Sequence, residues 1–237
     1  MMNGSHHKKK KSHRLSHFNT RWPAWLALIV VTLLYEALPK VFYWGPRGLL
    51  IGLVTVMLIP MIIGQWRGNS QLNRILALSI NILITLSTII SVCRLLIATF
   101  QGEIGPNHLL VSSIILWTTN ILVFALWYWS LDAGGPVQRE LPESAGSTAF
   151  LFPQTQLALT ETAGVPNYIK DWKPHFVDYL FLAFNTTTAF SPTDTPVLTR
   201  WAKCMCMLQA IISLAIIVML AARAINILNS GSSYVVS

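Results

Sequence analysis

The chain is written as continuous apolar blocks broken by clusters of Gly, Pro, Asn and basic residues. The first block covers about residues 22–41. It opens on Trp22-Pro23, a proline that a first helical turn tolerates, and closes on Tyr43-Trp44-Gly45-Pro46, an aromatic anchor followed by a turn. The second covers about residues 48–66 and holds Pro60, which predicts a kink. The third, about 75–100, meets the stop Gly102, Gly105, Pro106, and the fourth, about 109–131, finishes in Trp127-Tyr128-Trp129 and then Asp132, Gly134, Gly135 and Pro136. The fifth, residues 176–190, is short and contains Asp178; the last covers about 199–228.

Roughly 20 apolar helical residues cross a bilayer, and a membrane β-barrel would alternate instead of running apolar without a break. The pattern therefore predicts an all-α, polytopic helical membrane protein with six hydrophobic segments. Two arrangements fit: six spans, or five spans plus a re-entrant, pore-loop-like hairpin at residues 178–194. The length of the fifth block favours the hairpin. A six-span chain would need a helix starting at Trp172 and a locally thinned bilayer.

The segments divide the chain into a basic tail (1–21), a four-helix transmembrane region (22–134), a polar loop (135–171), the short segment with the last helix (172–228) and a flexible tail (229–237). Loops as long as 135–171 are functional or disordered, and residues 150–160 predict a short interfacial helix inside it.

Composition agrees with the membrane class: 53% of the 237 residues are hydrophobic and only 11% are charged, against about a quarter in soluble domains. The net charge of +8 is concentrated in the tail, at Lys8, Lys9, Lys10, Lys11, Arg14 and Arg21. Such a cluster holds the N-terminus in the cytoplasm, and it also suits anionic lipid headgroups. With six spans, twelve basic residues fall on the cytoplasmic side and four (Lys40, Arg47, Arg200, Lys203) outside; with the hairpin, the last helix reverses and the balance becomes thirteen to three. Both satisfy the positive-inside rule. Cys93, Cys204 and Cys206 form no disulfide framework and no metal spacing, and the sequence predicts no cofactor, no metal and no nucleic-acid partner.

Residues 178–194, DYLFLAFNTTTAFSPTD, resemble the pore helix and filter of potassium channels at Asp178, Leu180-Phe181, Thr186, Thr188 and Asp194. The family's filter falls on Ala189-Phe190-Ser191-Pro192-Thr193, where both glycines are gone and Pro192 stands at the central aromatic. Potassium filters work through stacked carbonyls whose geometry glycine permits. The resemblance thus implies a degenerate pore loop, conducting or transporting a small cation without potassium-type selectivity, through an oligomer or a hydrated path past Thr186, Thr187, Thr188, Ser191, Thr193 and Asp194. With the N-terminus inside, four spans precede the loop, so it would enter from the cytoplasmic face, opposite to a potassium channel.

Residues 115–228 are also similar to a family of bacterial multi-pass integral membrane proteins. The likeness rests on Trp117, the LWYW run ending at Trp129, Gly135-Pro136, Asp178-Tyr179-Leu180, the turn from Phe190 to Thr195, Arg200-Trp201-Ala202-Lys203, and Ala222-Arg223-Ala224-Ile225-Asn226. It implies a bacterial inner-membrane location and brings no activity.

Ionisable groups inside a membrane are functional candidates. Glu36 and Arg94 lie at similar depth and could pair. Asp178 and Arg223 match in depth only if six segments span. Asn81, Thr85 and Thr88 share one face of the third segment; Thr118, Thr119 and Asn120 lie on the fourth, and Gln209 and Asn226 on the last. These are either a water-lined path or helix–helix glue. No nucleophile–base pairing or phosphate-binding loop is present, so no enzyme is expected. The alternative to a cation path is a non-conducting scaffold that binds a partner through loop 135–171.

Overall fold

Every residue from Val123 to Ser130 is buried, so the second half of the fourth helix has neighbours on all sides. In a computed structural model of the chain, residues 22–66, 70–102, 104–136, 138–140, 148–159, 169, 172–188 and 194–232 are described, with side chains of the last helix described to Ala221. The helices are α1 (Trp22–Glu36), α2 (Leu49–Trp66), α3 (Ser70–Gln101), α4 (Pro106–Leu131), α5 (Pro153–Leu159), α6 (Phe176–Thr188) and α7 (Arg200–Ser232). Helices α1, α3, α6 and α7 surround α4, and α2 packs on α3. Among the described residues the only β-pairing is an isolated antiparallel bridge between Phe150 and Val197.

Three helices are long and apolar enough to cross a membrane, over Gln71–Gln101, Asn107–Gly134 and Arg200–Ala221; Trp22–Glu36 and Leu49–Gly64 are shorter apolar helices. The perimeter exposes Leu26, Ile29 and Leu33 of α1, Val56 and Ile59 of α2, Ile82, Leu86 and Ile97 of α3, and Ile211, Leu214 and Val218 of α7. An apolar belt of this extent needs a membrane around it. The protein is an all-helical membrane protein.

Cross-helix contacts fix the directions. On α3, Asn81 meets Ser130 and Thr85 meets Trp127, so α3 and α4 are antiparallel. On α7, Cys206 and Gln209 meet Tyr128, whereas Ile217 and Leu220 lie near Ile114 and Trp117, so α7 is also antiparallel to α4. On α6, Phe176 meets Trp129 and Phe184 meets Trp117, and that helix too opposes α4. Helices α6 and α7 are therefore parallel, and both start at the Asp132 end of α4. The chain leaving α6 has to come back to that end before α7 begins. Residues 196–198 are back there already: Leu151 N donates to Pro196 O at 3.0 Å and Leu198 N to Ala149 O at 2.8 Å.

Local sequence explains the boundaries. Helix α1 stops at Glu36, short of the expected residue 41, because Pro39 disfavours helix at the residue before it. A 3-10 turn, Lys40–Phe42, follows. Helix α4 takes Pro106 in its first turn and ends in a 3-10 turn, Asp132–Gly134. Gly135 has φ +97, and a Cβ there would meet Ser130 O at 2.9 Å, so only glycine lets the chain fold back against α4. The expected interfacial helix is one of 7 residues, α5. The rest of the described loop is not free: Ala149, Phe150, Phe152 and Ile169 are buried.

Candidate functional site

The junction of α4, α6 and α7 carries two buried polar clusters. The first lies where α4 ends. Asp132 is wholly buried; its Oδ1 accepts from Ala149 N at 2.6 Å and its Oδ2 from the Tyr179 hydroxyl at 2.6 Å. Arg139 comes back beneath α4 through the Gly134-Gly135 turn. Its Nη1 donates to Tyr179 Oη at 2.5 Å and to Trp129 O at 3.5 Å, and stands 3.9 Å from Asp132 Oδ2. Its guanidinium also lies over the Tyr179 ring, 4.9 Å from the centroid. A carboxylate and a guanidinium with 0% and 8% of their side chains exposed are tolerable only as such a saturated pair. The cluster ties the end of α4, the loop at Ala149 and the first turn of α6 together.

The second cluster lies one to two turns deeper, around the end of α6. Gln209 is wholly buried. Its Nε2 donates to Ala183 O at 2.7 Å and to Thr187 Oγ1 at 2.6 Å, and its Oε1 accepts from the Tyr128 hydroxyl at 2.6 Å. Tyr128 Oη is 3.4 Å from Cys206 Sγ. Ser213 Oγ donates to Thr187 O at 2.7 Å, and Asn120 Nδ2 donates to Gln209 O at 3.2 Å. The last carbonyls of a helix have no intrahelical donors, and in hydrocarbon they must find others. Ser213 supplies one from α7, at Thr187 O, and Gln209 bonds Ala183 O one turn earlier. Asn120 Oδ1 is buried beside this cluster and has no partner among the described residues. Thr188 borders a groove of about 200 Å³ with Ile114, Trp117, Ile217 and Leu220.

The expected pore-lining threonines are largely committed to their own helix. Thr186 Oγ1 donates to Leu182 O at 2.8 Å, Thr187 Oγ1 to Ala183 O at 2.8 Å, and Thr188 Oγ1 to Asn185 O at 3.0 Å. Thr187 is brought into the Gln209 cluster, and Thr186 also hydrogen-bonds Tyr128 and Cys206 there. Asp194 is exposed, two residues before Pro196, and so lies toward the Asp132 end. Ser191 and Thr193 lie outside the described residues, as do Lys8, Lys9, Lys10, Lys11 and Arg14.

Neither expected charge pair is formed. Glu36 Oε1 accepts from Gly48 N at 3.1 Å, and its Oε2 lies 3.9 Å from Arg47 Nε. Arg94 donates instead to the carbonyls of Tyr43 and Val41, so it serves the α1–α2 connection. The Asp178 carboxylate accepts from His175 N at 2.7 Å, closing the start of α6 as the third residue of a capping box does. Arg223 is about 35 Å along α7 from its start at 1.5 Å per residue, at the opposite end from Asp178; its side chain lies outside the described residues. Gln209, Asn120, Asn81 and Thr85 all bond between helices, which is the glue reading of the polar face.

Asp132, Arg139, Tyr179 and Tyr128 were not singled out from the sequence. Their signal was present: two opposite charges on either side of Gly134-Gly135-Pro136, at the end of an apolar helix, are spaced to meet across the turn.

No protein-family model, curated protein or solved structure matches the chain.

Proposed function

We propose that the chain is a multi-pass protein of the bacterial inner membrane with a cytoplasmic N-terminus. In this reading five helices (α1, α2, α3, α4, α7) span. Helix α6 enters from the cytoplasmic face, stops partway and returns through residues 189–199. The unit α4–α6–α7 is a degenerate pore loop that moves a small cation, with copies of the chain meeting around the path.

The observation that carries this reading is that α6 and α7 start at one end and run parallel, joined by chain that has come back to that end. At 13 residues, α6 is about 20 Å long and covers only part of a ~30 Å hydrocarbon core. Its carbonyl end is the negative end of a helix dipole, held at depth where a cation is favoured. Asn120 Oδ1, without a donor, adds an acceptor beside it. The direction of entry follows from the thirteen-to-three balance of basic residues.

The test is uptake of monovalent cations into proteoliposomes under an imposed potential, comparing the unaltered protein with Asn120→Leu at equal incorporation. The reading predicts flux in the first and less in the second. No flux in either, for any monovalent cation, favours the scaffold. The committed threonine hydroxyls and the apolar lining of the groove are the observations on the scaffold's side. The burial of Phe150 and Phe152 weighs against it, because it ties part of loop 135–171 to the bundle.

A further inference from the structure

Loop residues 148–152 lie across the Asp132 end of the α4–α6–α7 junction like a strap. Both edges of the strap are fastened. Ala149 N is bonded to Asp132 Oδ1, and Ala149 O and Leu151 N pair with Leu198 N and Pro196 O on the returning limb of the hairpin. Between these fastenings, Phe150 faces Val197 in the antiparallel bridge and is only 1% exposed. Its ring meets one aromatic ring from each of the three helices: Tyr128 of α4 at 5.0 Å, Tyr179 of α6 at 6.2 Å and Trp201 of α7 at 6.0 Å. Phe152 adds a second layer against Tyr179 and Trp172.

Below the Phe150 ring, the Tyr128 hydroxyl begins the polar chain Tyr128–Gln209–Thr187, with Ser213 at its far side. Above it, Asp132, Arg139 and Tyr179 form the charged cluster. The Phe150 ring thus touches Tyr128 of the one cluster and Tyr179 of the other. That ring comes from a loop and not from a spanning helix.

We infer that Phe150 is a plug: the strap holds its ring between the two polar clusters, and this closes the Gln209 cluster to water from the Asp132 side. Removing the ring opens a void lined by Tyr128, Tyr179 and Trp201 that joins the two. The inference concerns regulation of the unit proposed above. Its meaning as a gate rests on that reading, and its geometry does not.

Cys206 is a native reporter, because its Sγ lies 3.4 Å from Tyr128 Oη and the residue is half-buried. The experiment uses the full chain with Cys93→Ser and Cys204→Ser, reconstituted in liposomes. A charged, membrane-impermeant methanethiosulfonate is added on the Asp132 side, and modification of Cys206 is followed by mass. With Phe150 in place, the half-buried Cys206 labels slowly from this side. With Phe150→Ala, labelling accelerates by about tenfold or more, as expected when a closed site becomes open. Phe150→Val, a smaller truncation, gives an intermediate rate and serves if the alanine variant does not fold. Equal rates in folded variants overturn the plug, whether or not the protein passes ions. A faster rate supports it even where no flux is found, and that second result would count against the cation reading alone.

Discussion

Gln209 Nε2 donates to Thr187 Oγ1 at 2.6 Å, and this bond joins α7 to the last turn of α6. The same nitrogen serves Ala183 O, so one amide ties α7 to two successive turns of α6. Gln209→Leu removes both donations and also the short hydrogen bond from the Tyr128 hydroxyl. Polar contacts between membrane helices contribute about 1–2 kcal/mol in model systems, so thermal unfolding in detergent shifts down measurably. Thr188→Val, whose hydroxyl bonds within its own helix, stays close to the unaltered protein. Equal stability of the two variants would remove Gln209 as the anchor of α6.

Asp132 is the larger liability. Truncation to Ala leaves Arg139 buried without a counter-charge, a loss of about 3–5 kcal/mol for pairs of this kind. Tyr179→Phe keeps the pair and removes only hydrogen bonds to charged groups, about 1.5–3 kcal/mol. The order of melting temperatures is therefore unaltered protein, then Tyr179→Phe, then Asp132→Ala. Reversal of the last two would show that the aromatic contacts and not the ion pair hold the strap end.

At the other end of the bundle the two arginines separate. Arg47 is 64% exposed and sits 3.9 Å from Glu36, so Arg47→Ala costs less than about 1 kcal/mol. Arg94 donates to carbonyls on the α1–α2 connection, and Arg94→Leu leaves them without it at an apolar boundary. Arg94→Leu is the more destabilising change by thermal unfolding, and the reverse order would mean that the connection is held by its own turns.

Asp194 is exposed on the Asp132 side. In the cation reading it raises local cation concentration. Asp194→Asn then lowers flux about two- to threefold at low ionic strength and less at high salt, as expected for a screened surface charge. A salt-independent effect would place the residue in the path itself.

Much of the helical frame is legible from apolar block length alone, as α4 and α7 show. The short fifth block with Asp178 at its start also carries the half-length of α6. The chain could not say which way α6 points relative to α7. That is decided by contacts far apart in sequence, such as Phe176 on Trp129 and Gln209 on Ala183, whose partners no local pattern names. The charge pairs failed for a related reason. Glu36 and Arg94 match in depth, yet Arg47 lies just across the turn from Glu36, and backbone carbonyls at Tyr43 and Val41 took Arg94. Depth is readable from spacing; rotation of one helix about its axis relative to another is not. The strap was hidden because Phe150 reads as the start of an interfacial helix over 150–160, whereas that helix begins at Pro153 and Phe150 pairs with Val197.

The claim that α6 enters and returns on one side is tested most directly by the sidedness of three exposed positions. Lys173→Cys precedes α6, Lys203→Cys opens α7, and Lys40→Cys lies in the α1–α2 connection. Each is made with the three native cysteines changed to Ser and labelled with a membrane-impermeant thiol reagent in right-side-out and inverted vesicles. The account predicts that Lys173→Cys and Lys203→Cys label from the same, cytoplasmic face and Lys40→Cys from the opposite one. Labelling of Lys173→Cys and Lys203→Cys from opposite faces would make α6 a true span and contradict the hairpin.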